Sequence, residues 1–387
     1  MTHYPFKSFW KRFLAGCFDA IGRFLFYPAR ATRKPMDIGT IQRILAVRLD
    51  HIGDVVMTRP ALRALHKKFP QATIDLLVPG DIAPLFANAK DIARVIPAPN
   101  GWFSRNASLG KKIREFFRLV TLLKNERYDL GLDFRGDLRN ILLMFLARIR
   151  YRLGYGATGG GFLLTEDVPH DAAAHQILTG LNLLRFFHVA QDNKLLPLEY
   201  TQEQAQEFWK MLGTGLSATV LPRVMVHMGA GSPAKQWGDD NFRALLQKIS
   251  EASLAQILLI GSQEEKDALP DLKLHVQNII DLRGKTRLED LPVLMDICDV
   301  FIGNDSGPAH IAAAQGLEII LLVSGTNDIR LWYPWTDRLS LLQHEVPCAP
   351  CGLEICPVEG HPCVELISVD QVFNAFLSVL VRLQKKS

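Results

Sequence analysis

The chain has 387 residues, more than a single hydrophobic core usually sustains, so two domains of ordinary size are expected. With 48% hydrophobic and 22% charged residues it is not a disordered chain. The formal charge of +4 is concentrated: residues 1–40 carry seven Lys or Arg against Asp19 and Asp37, and the remainder carries 37 basic against 38 acidic residues. A general nucleic-acid binder is thereby excluded.

At the N-terminus, HYPFKSFWKRFLAGCFDAIGRFLFYPAR sets Phe6, Phe9, Trp10, Phe13, Leu14, Phe18, Ile21, Phe24 and Leu25 at i, i+3, i+4 spacing. Lys7, Lys11, Arg12 and Arg23 fall largely elsewhere on that helix. An aromatic stripe beside a basic face suits a helix lying on anionic lipid, and it equally suits a helix packed on the protein's own surface. Asp19 and Arg23 interrupt the apolar run, so it reads as neither a secretory signal nor a spanning helix. No other stretch is long enough to cross a bilayer, and the expected location is the cytoplasm, peripheral on the inner membrane under the lipid reading.

From residue 41, β-branched runs alternate with amphipathic ones. IQRILAVRL reads as a strand, Val55 to Phe69 as a helix, ATIDLLV as a strand, SLGKKIREFFRLVTLLKNE as a helix and YDLGLDF as a strand. Helices follow from Leu138 to Arg150 and over HDAAAHQILTGLNLLRFFHV. The rhythm breaks between Val189 and Pro222, where QDNKLLPLEYTQEQ and GTGLSATVLP are polar and turn-rich. It then resumes with RVMVHMG, a helix from Asp239 to Ser250, AQILLIG, a helix near Glu265, NIIDL, a helix from Leu288 to Ile297, DVFIGN, a helix from Gly307 to Gln315, and LEIILLVSG. SVDQVFNAFLSVLVRLQ closes the chain as a helix.

Strands alternating with helices predict an α/β fold of two Rossmann-like parallel-sheet halves facing a central cleft. The expected divisions are a basic amphipathic segment at 1–40, a first domain at 41–205, a second at 222–367 and a C-terminal helix at 368–387. Ligands belong at the C-terminal ends of the strands.

Five constellations fall at such ends. In RLDHIGDVV, Gly53 is read as allowing a sharp turn, with Asp54 opening a helix; Asp54 is either an N-cap or a base able to take a proton from an attacking hydroxyl. In FIGNDSGPAH, Asp305 closes the turn, Ser306 can cap, Gly307 exposes amides and Pro308 suits a first helical turn, which together make an anion site; His310, one turn in, joins that site or is simply a core histidine. In HMGAGSPAKQW, Gly229, Gly231 and Ser232 form a loop that Lys235 can reach, without the order of a nucleotide-hydrolysing P-loop. Glu264 and Glu265 stand where carboxylates accept from ribose hydroxyls, or simply decorate a helix N-terminus. Asp133, Arg135, Asp137, Arg139 and Arg152 read as a charged rim suited to an anionic acceptor, or as ordinary surface pairs.

Cys348, Cys351, Cys356 and Cys363, with His361 among them, lean toward metal binding or free thiols rather than disulfides. Their spacing is not that of a standard zinc finger.

ILAVRLDHIGDVVMTRPALRALHKKFP, the GAG loop with KQW, DLRGKTRLEDLPVLMDICDVFIGNDSGPAHIAAA and the late CxxC-xxxx-C cluster together resemble glycosyltransferase family 9, the bacterial heptosyltransferases of lipopolysaccharide core assembly. The likeness runs from about residue 41 to about residue 367. It implies the GT-B architecture, an acceptor on the first half, an ADP-sugar such as ADP-heptose on the second, and inverting catalysis without metal or cofactor. It further implies Asp54 as catalytic base, Lys235 on donor phosphate, and Asp305, Ser306, Gly307 and His310 at the diphosphate. Asp50 and His51 would tune Asp54, with His51 a fallback base. Two alternatives stand beside this: another GT-B transferase of surface-polysaccharide synthesis, and a non-catalytic nucleotide-sugar-binding protein at the membrane. An oxidoreductase is disfavoured, because RLDHIGD lacks a dinucleotide glycine fingerprint.

Overall fold

The protein is seen in a computed structural model that describes residues 9–31, 35–99, 108–190, 192–213, 221–270, 272 and 278–385, without the side chains of Lys11 and residues 28–31. Phe6, Lys7, Arg33, Lys34 and linker residues 214–220, together with the side chains of Lys11 and Arg30, lie outside the described residues. The chain divides into two compact units, Met1–Lys194 and Leu195–Ser387.

The first unit opens with α1 (Phe9–Ala31) and then alternates β1 (Arg43–Val47), α2 (Ile52–Lys68), β2 (Thr73–Pro79), β3 (Arg94–Ala98), α3 (Leu109–Glu126), β4 (Leu130–Asp133), α4 (Leu138–Leu146), β5 (Tyr151–Gly154), β6 (Glu166–Asp167) and α5 (Gln176–Leu183). Its six strands are parallel in the order β3-β2-β1-β4-β5-β6. Strands buried on both faces need apolar side chains on both, and Ile44, Leu45, Ala46 and Val47 are all fully buried.

The second unit runs α6 (Gln202–Leu212), β7 (Arg223–His227), α7 (Asp239–Glu251), β8 (Gln256–Ile260), α8 (Gln263–Ala268), β9 (Ile279–Asp281), α9 (Leu291–Met295), β10 (Val300–Asn304), α10 (Gly307–Gln315), β11 (Glu318–Val323), β12 (Leu339–Gln343), α11 (Pro362–Glu365) and α12 (Val369–Gln384). Its strand order, β12-β11-β10-β7-β8-β9, repeats the winding of the first sheet. Val372, Phe376 and Val379 of α12 are buried in the core beneath β7, β8 and α7, so the terminal helix is part of this unit. In each sheet the winding reverses between the first and fourth strands, β1/β4 and β7/β10. Doubly wound sheets bind ligands outside that reversal.

Several elements differ from the sequence reading. The helix expected at Leu138–Arg150 stops at Leu146, because Arg148 turns left-handed (φ 57°) and the chain re-enters the sheet as β5. The long helix expected over 170–189 shrinks to α5. An Asp171 carboxylate binding the Ala173 amide holds its approach in a turn, and His188 (φ 54°) ends the 3₁₀ turn after it. β3, β5, β6 and β12 were not anticipated.

Candidate active site

In the first unit the strand-to-helix turn differs in detail from the expectation. α2 already starts at Ile52, with His51 as its N-cap residue in extended backbone and without a side-chain cap bond. Gly53 therefore lies within the helix, and Asp54 is its third residue rather than its cap.

The Asp54 carboxylate is fixed by a residue the sequence reading passed over. Arg48 is buried just beyond β1. Its Nη2 donates to Asp54 Oδ1 at 2.9 Å and to Gln176 Oε1 at 3.3 Å, and its Nη1 donates to the Phe134 carbonyl. The other Asp54 oxygen lies 3.7 Å from His51 Nδ1, which stands 3.1 Å from Asp50 Oδ1. Hydrogen bonding to Asp50 and then to Asp54 raises His51 to about 9, although its ring is largely open to solvent. At neutral pH His51 is thus a cation beside two carboxylates, which removes it as a fallback base.

Of the expected rim, Arg135 joins this group. It donates to the Leu49 carbonyl at 2.6 Å and stands 3.4 Å from Asp50. Arg139 sits beyond it, bound through two bonds, 2.9 and 2.7 Å, to Asp137, the N-cap of α4. Two members do not belong. Arg152 is buried in β5, where Nε donates to the Leu163 carbonyl at 2.8 Å, Nη1 to the Ile149 carbonyl, and the guanidinium lies over the Phe145 ring. Asp133 is fully buried and accepts from the Arg135 and Asp137 amides and from Asn140. Burial raises its carboxyl to about 6. Both are internal braces.

In the second unit the loops after β7 and β10 meet. Lys235, in a 3₁₀ turn, donates from Nζ to Asp305 Oδ2 at 2.7 Å. Asn304, unremarked in the sequence, ties the loops: its amide nitrogen donates to the Met228 and Gly229 carbonyls, and its oxygen accepts from the Trp237 amide. Ser306 is the N-cap of α10 but makes no side-chain cap bond; its hydroxyl lies 3.2 Å from His227 Nδ1 instead. His227 Nε2 is 3.4 Å from Glu265 Oε1, so a chain of three side chains crosses from α10 to α8. Burial works against charge on Glu265, yet the His227 hydrogen bond and the Ser262 amide hold it below the usual carboxylate range.

The Glu265 carboxylate also explains Gly229, where an added Cβ would fall 1.4 Å from Oε1. Gly231 has no such neighbour. Ser232 precedes the 3₁₀ turn, Glu264 is exposed and stands outside the chain, and His310 is buried in the first turn of α10. Gly307 begins that helix; Pro308 has no N–H and the Ala309 amide donates to the Ser306 carbonyl, so the Gly307 amide and the helix dipole are what favour an anion there.

None of the four late cysteines is in a disulfide, and burial, then the neighbouring cysteines, raise Cys363. Among the described residues, donor groups close enough to share one ion occur at Asp50, His51 and Asp54. The cationic Arg48 and Arg135 point at the same carboxylates and compete for them.

Residues 116–361 match the family described as Glycosyltransferase family 9 (heptosyltransferase). The chain belongs to glycosyltransferase family 9, and it is a glycosyltransferase. Among the family's characterised members, lipopolysaccharide heptosyltransferase 3 of Escherichia coli K12 is 26% identical over 303 residues, 74% of this chain and 83% of that protein. Two solved structures share the fold. The E. coli ADP-heptose lps heptosyltransferase II superposes with a TM-score of 0.71 at 20% identity, covering 89% of this chain and all of that one. A family 9 glycosyltransferase from Veillonella parvula gives 0.77 at 19% identity, covering 91% and 100%. The fold of the family 9 chain is therefore GT-B, two α/β units each built on a six-stranded parallel sheet.

Proposed function

We propose that the enzyme transfers a heptose from ADP-heptose to the inner core of lipopolysaccharide or a related glycolipid, with inversion at the anomeric carbon and Asp54 as general base. The observation that carries this is the different chemistry at the two sheet reversals: a fixed carboxylate after β1, and a lysine with a helix start after β7 and β10.

The Arg48 bond aims one Asp54 oxygen, and the other, which faces His51 Nδ1 at 3.7 Å, accepts the proton of an acceptor hydroxyl. That hydroxyl oxygen bonds to the anomeric carbon as the bond from carbon to the diphosphate oxygen breaks. ADP departs with the electron pair. Lys235, with the Gly307 amide and the dipole at the start of α10, stabilises the charge that develops on the diphosphate, and a preorganised donor of this kind is worth on the order of 3 kcal/mol. Glu265, aimed by His227, accepts from the ribose hydroxyls, while Arg135 and Arg139 attract an anionic acceptor. The names of the relatives support the donor and the acceptor class. Nucleotide-sugars are cytoplasmic metabolites, so this reading puts the enzyme on the cytoplasmic side of the membrane that carries its acceptor.

The test is a thermal-shift screen of nucleotide-sugars. ADP-heptose should stabilise most; equal stabilisation by UDP-sugars, or none by ADP compounds, overturns the donor assignment.

A further inference from the structure

The sequence left α1 with two readings; the structure packs one face of the helix on the body and leaves the other exposed. One face is docked: Asp19 Oδ1 accepts from the Gly160 amide at 2.6 Å, Gly22 meets the Phe162 ring so closely that a Cβ would lie 2.2 Å away, and Phe26 packs edge-on to Phe145 of α4. The opposite face is bare. Trp10 is 69% exposed and Phe24 81%, with Phe13, Leu14, Ile21 and Leu25 beside them. Asp19 is engaged by the body, and the exposed Arg12 and Arg23 flank the aromatic face.

The same helical layer holds a second stripe. α3 packs on α4, and α4 on the Gly161–Leu163 turn that receives α1. Along α3, Leu109, Ile113 and Phe117 follow one another at i, i+4, i+8; Leu109 is 73% exposed and Phe117 56%. Lys111, Arg114, Arg118 and Lys124 are exposed on the same helix. Of its two acids, Glu126 is taken up by Arg43 and Arg94.

We infer that α1 and α3 form one membrane-docking platform whose partner is an anionic lipid surface, with α1 lying in the headgroup plane and α3 adding a second apolar and basic contact. Charge selects this occupant. A self-complementary contact between two copies would set the basic flanks against each other, whereas anionic lipid neutralises them while the aromatic rings enter the boundary of the acyl chains. No described helix is long and apolar enough to cross a membrane, so the platform lies on the surface. Because α1 is pinned to the body by Asp19 and Gly22, docking fixes how the first unit faces the membrane. The inference does not depend on which sugar is moved.

The experiment is co-sedimentation of the full chain, without nucleotide or acceptor, with vesicles of phosphatidylcholine alone and of phosphatidylcholine containing phosphatidylglycerol. Binding should favour the anionic vesicles by at least about tenfold and should fall steeply as salt rises. Phe13→Ser with Phe24→Ser, and separately Ile113→Gln with Phe117→Gln, should each weaken it by about tenfold or more, since each pair withdraws two apolar side chains from lipid. As a check independent of those variants, brominated lipid should quench the native protein more than Trp10→Phe. Equal binding to both vesicle types, no binding, or self-association abolished by the α1 changes overturns the platform. Failure here leaves the transferase reading untouched, and loss of transfer with vesicle binding intact leaves the platform untouched.

Discussion

The Lys235–Asp305 pair offers a clean separation of stability from catalysis. Asp305 is buried and Lys235 is mostly so, which makes Lys235→Met the loss of one partner from a largely buried ion pair. Breaking such a pair costs about 3–5 kcal/mol when fully buried, and with part of the ammonium in water roughly 2–3 kcal/mol is expected here. In an Asp305→Asn background no carboxylate is stranded, so the same lysine change should leave stability nearly unaltered. Transfer behaves differently. If Lys235 neutralises the departing diphosphate, its removal should slow turnover about 100-fold in both backgrounds, the rate equivalent of about 3 kcal/mol. Urea unfolding and steady-state transfer on the four proteins form a double-mutant cycle. If Lys235→Met costs nothing in transfer once Asp305 is Asn, the lysine is only a counter-ion and the proposed leaving-group chemistry fails.

Three other changes probe the remaining geometry. Arg48→Met should lower both stability and turnover, by roughly 2–4 kcal/mol in stability, because it removes the buried donor to Asp54 and strips the Phe134 carbonyl of its donor; normal turnover would show that Asp54 needs no such brace. Gly229→Ala should push Glu265 off His227 and weaken donor binding by calorimetry while leaving the fold intact, and unchanged binding would remove Glu265 from the ribose site. His51 is raised from 6.5 to about 9, so its pairing with Asp50 and Asp54 adds stability fully below pH 6.5 and loses it as pH rises through about 9. The stability gap between native protein and His51→Gln should accordingly be widest at pH 6 and close by pH 10; a gap independent of pH would mean the ring is held by packing.

The alternating rhythm made the sheets readable because strand and helix periods differ and each β-to-α turn carries its own glycine or aspartate punctuation. That is why Asp54, Lys235, Asp305 and Glu265 stood out in sequence, and why α10 has the bounds expected of it. What stayed hidden was decided by which way each side chain turns in the fold. Arg48 and Arg152 look alike in sequence, each an arginine beside an apolar run, yet one ends against Asp54 and the other against the carbonyls of Ile149 and Leu163. His227 reads as a strand terminus until Ser306 and Glu265 arrive on either side. For α1 the pattern fitted both lipid and protein, and contacts such as that of Asp19 with Gly160, 141 residues away, divided its faces.

The identical winding of the two sheets has a bearing on how such enzymes diversify. Among the described residues each unit carries its own ladder of six strands and its own reversal point, and no strand of one pairs with a strand of the other. If the second unit binds the donor as proposed, exchange of residues 195–387 for the matching half of a relative would change the donor accepted while Asp54 and its buried arginine stayed as they were. New linkages could then arise by recombination, without rebuilding either core.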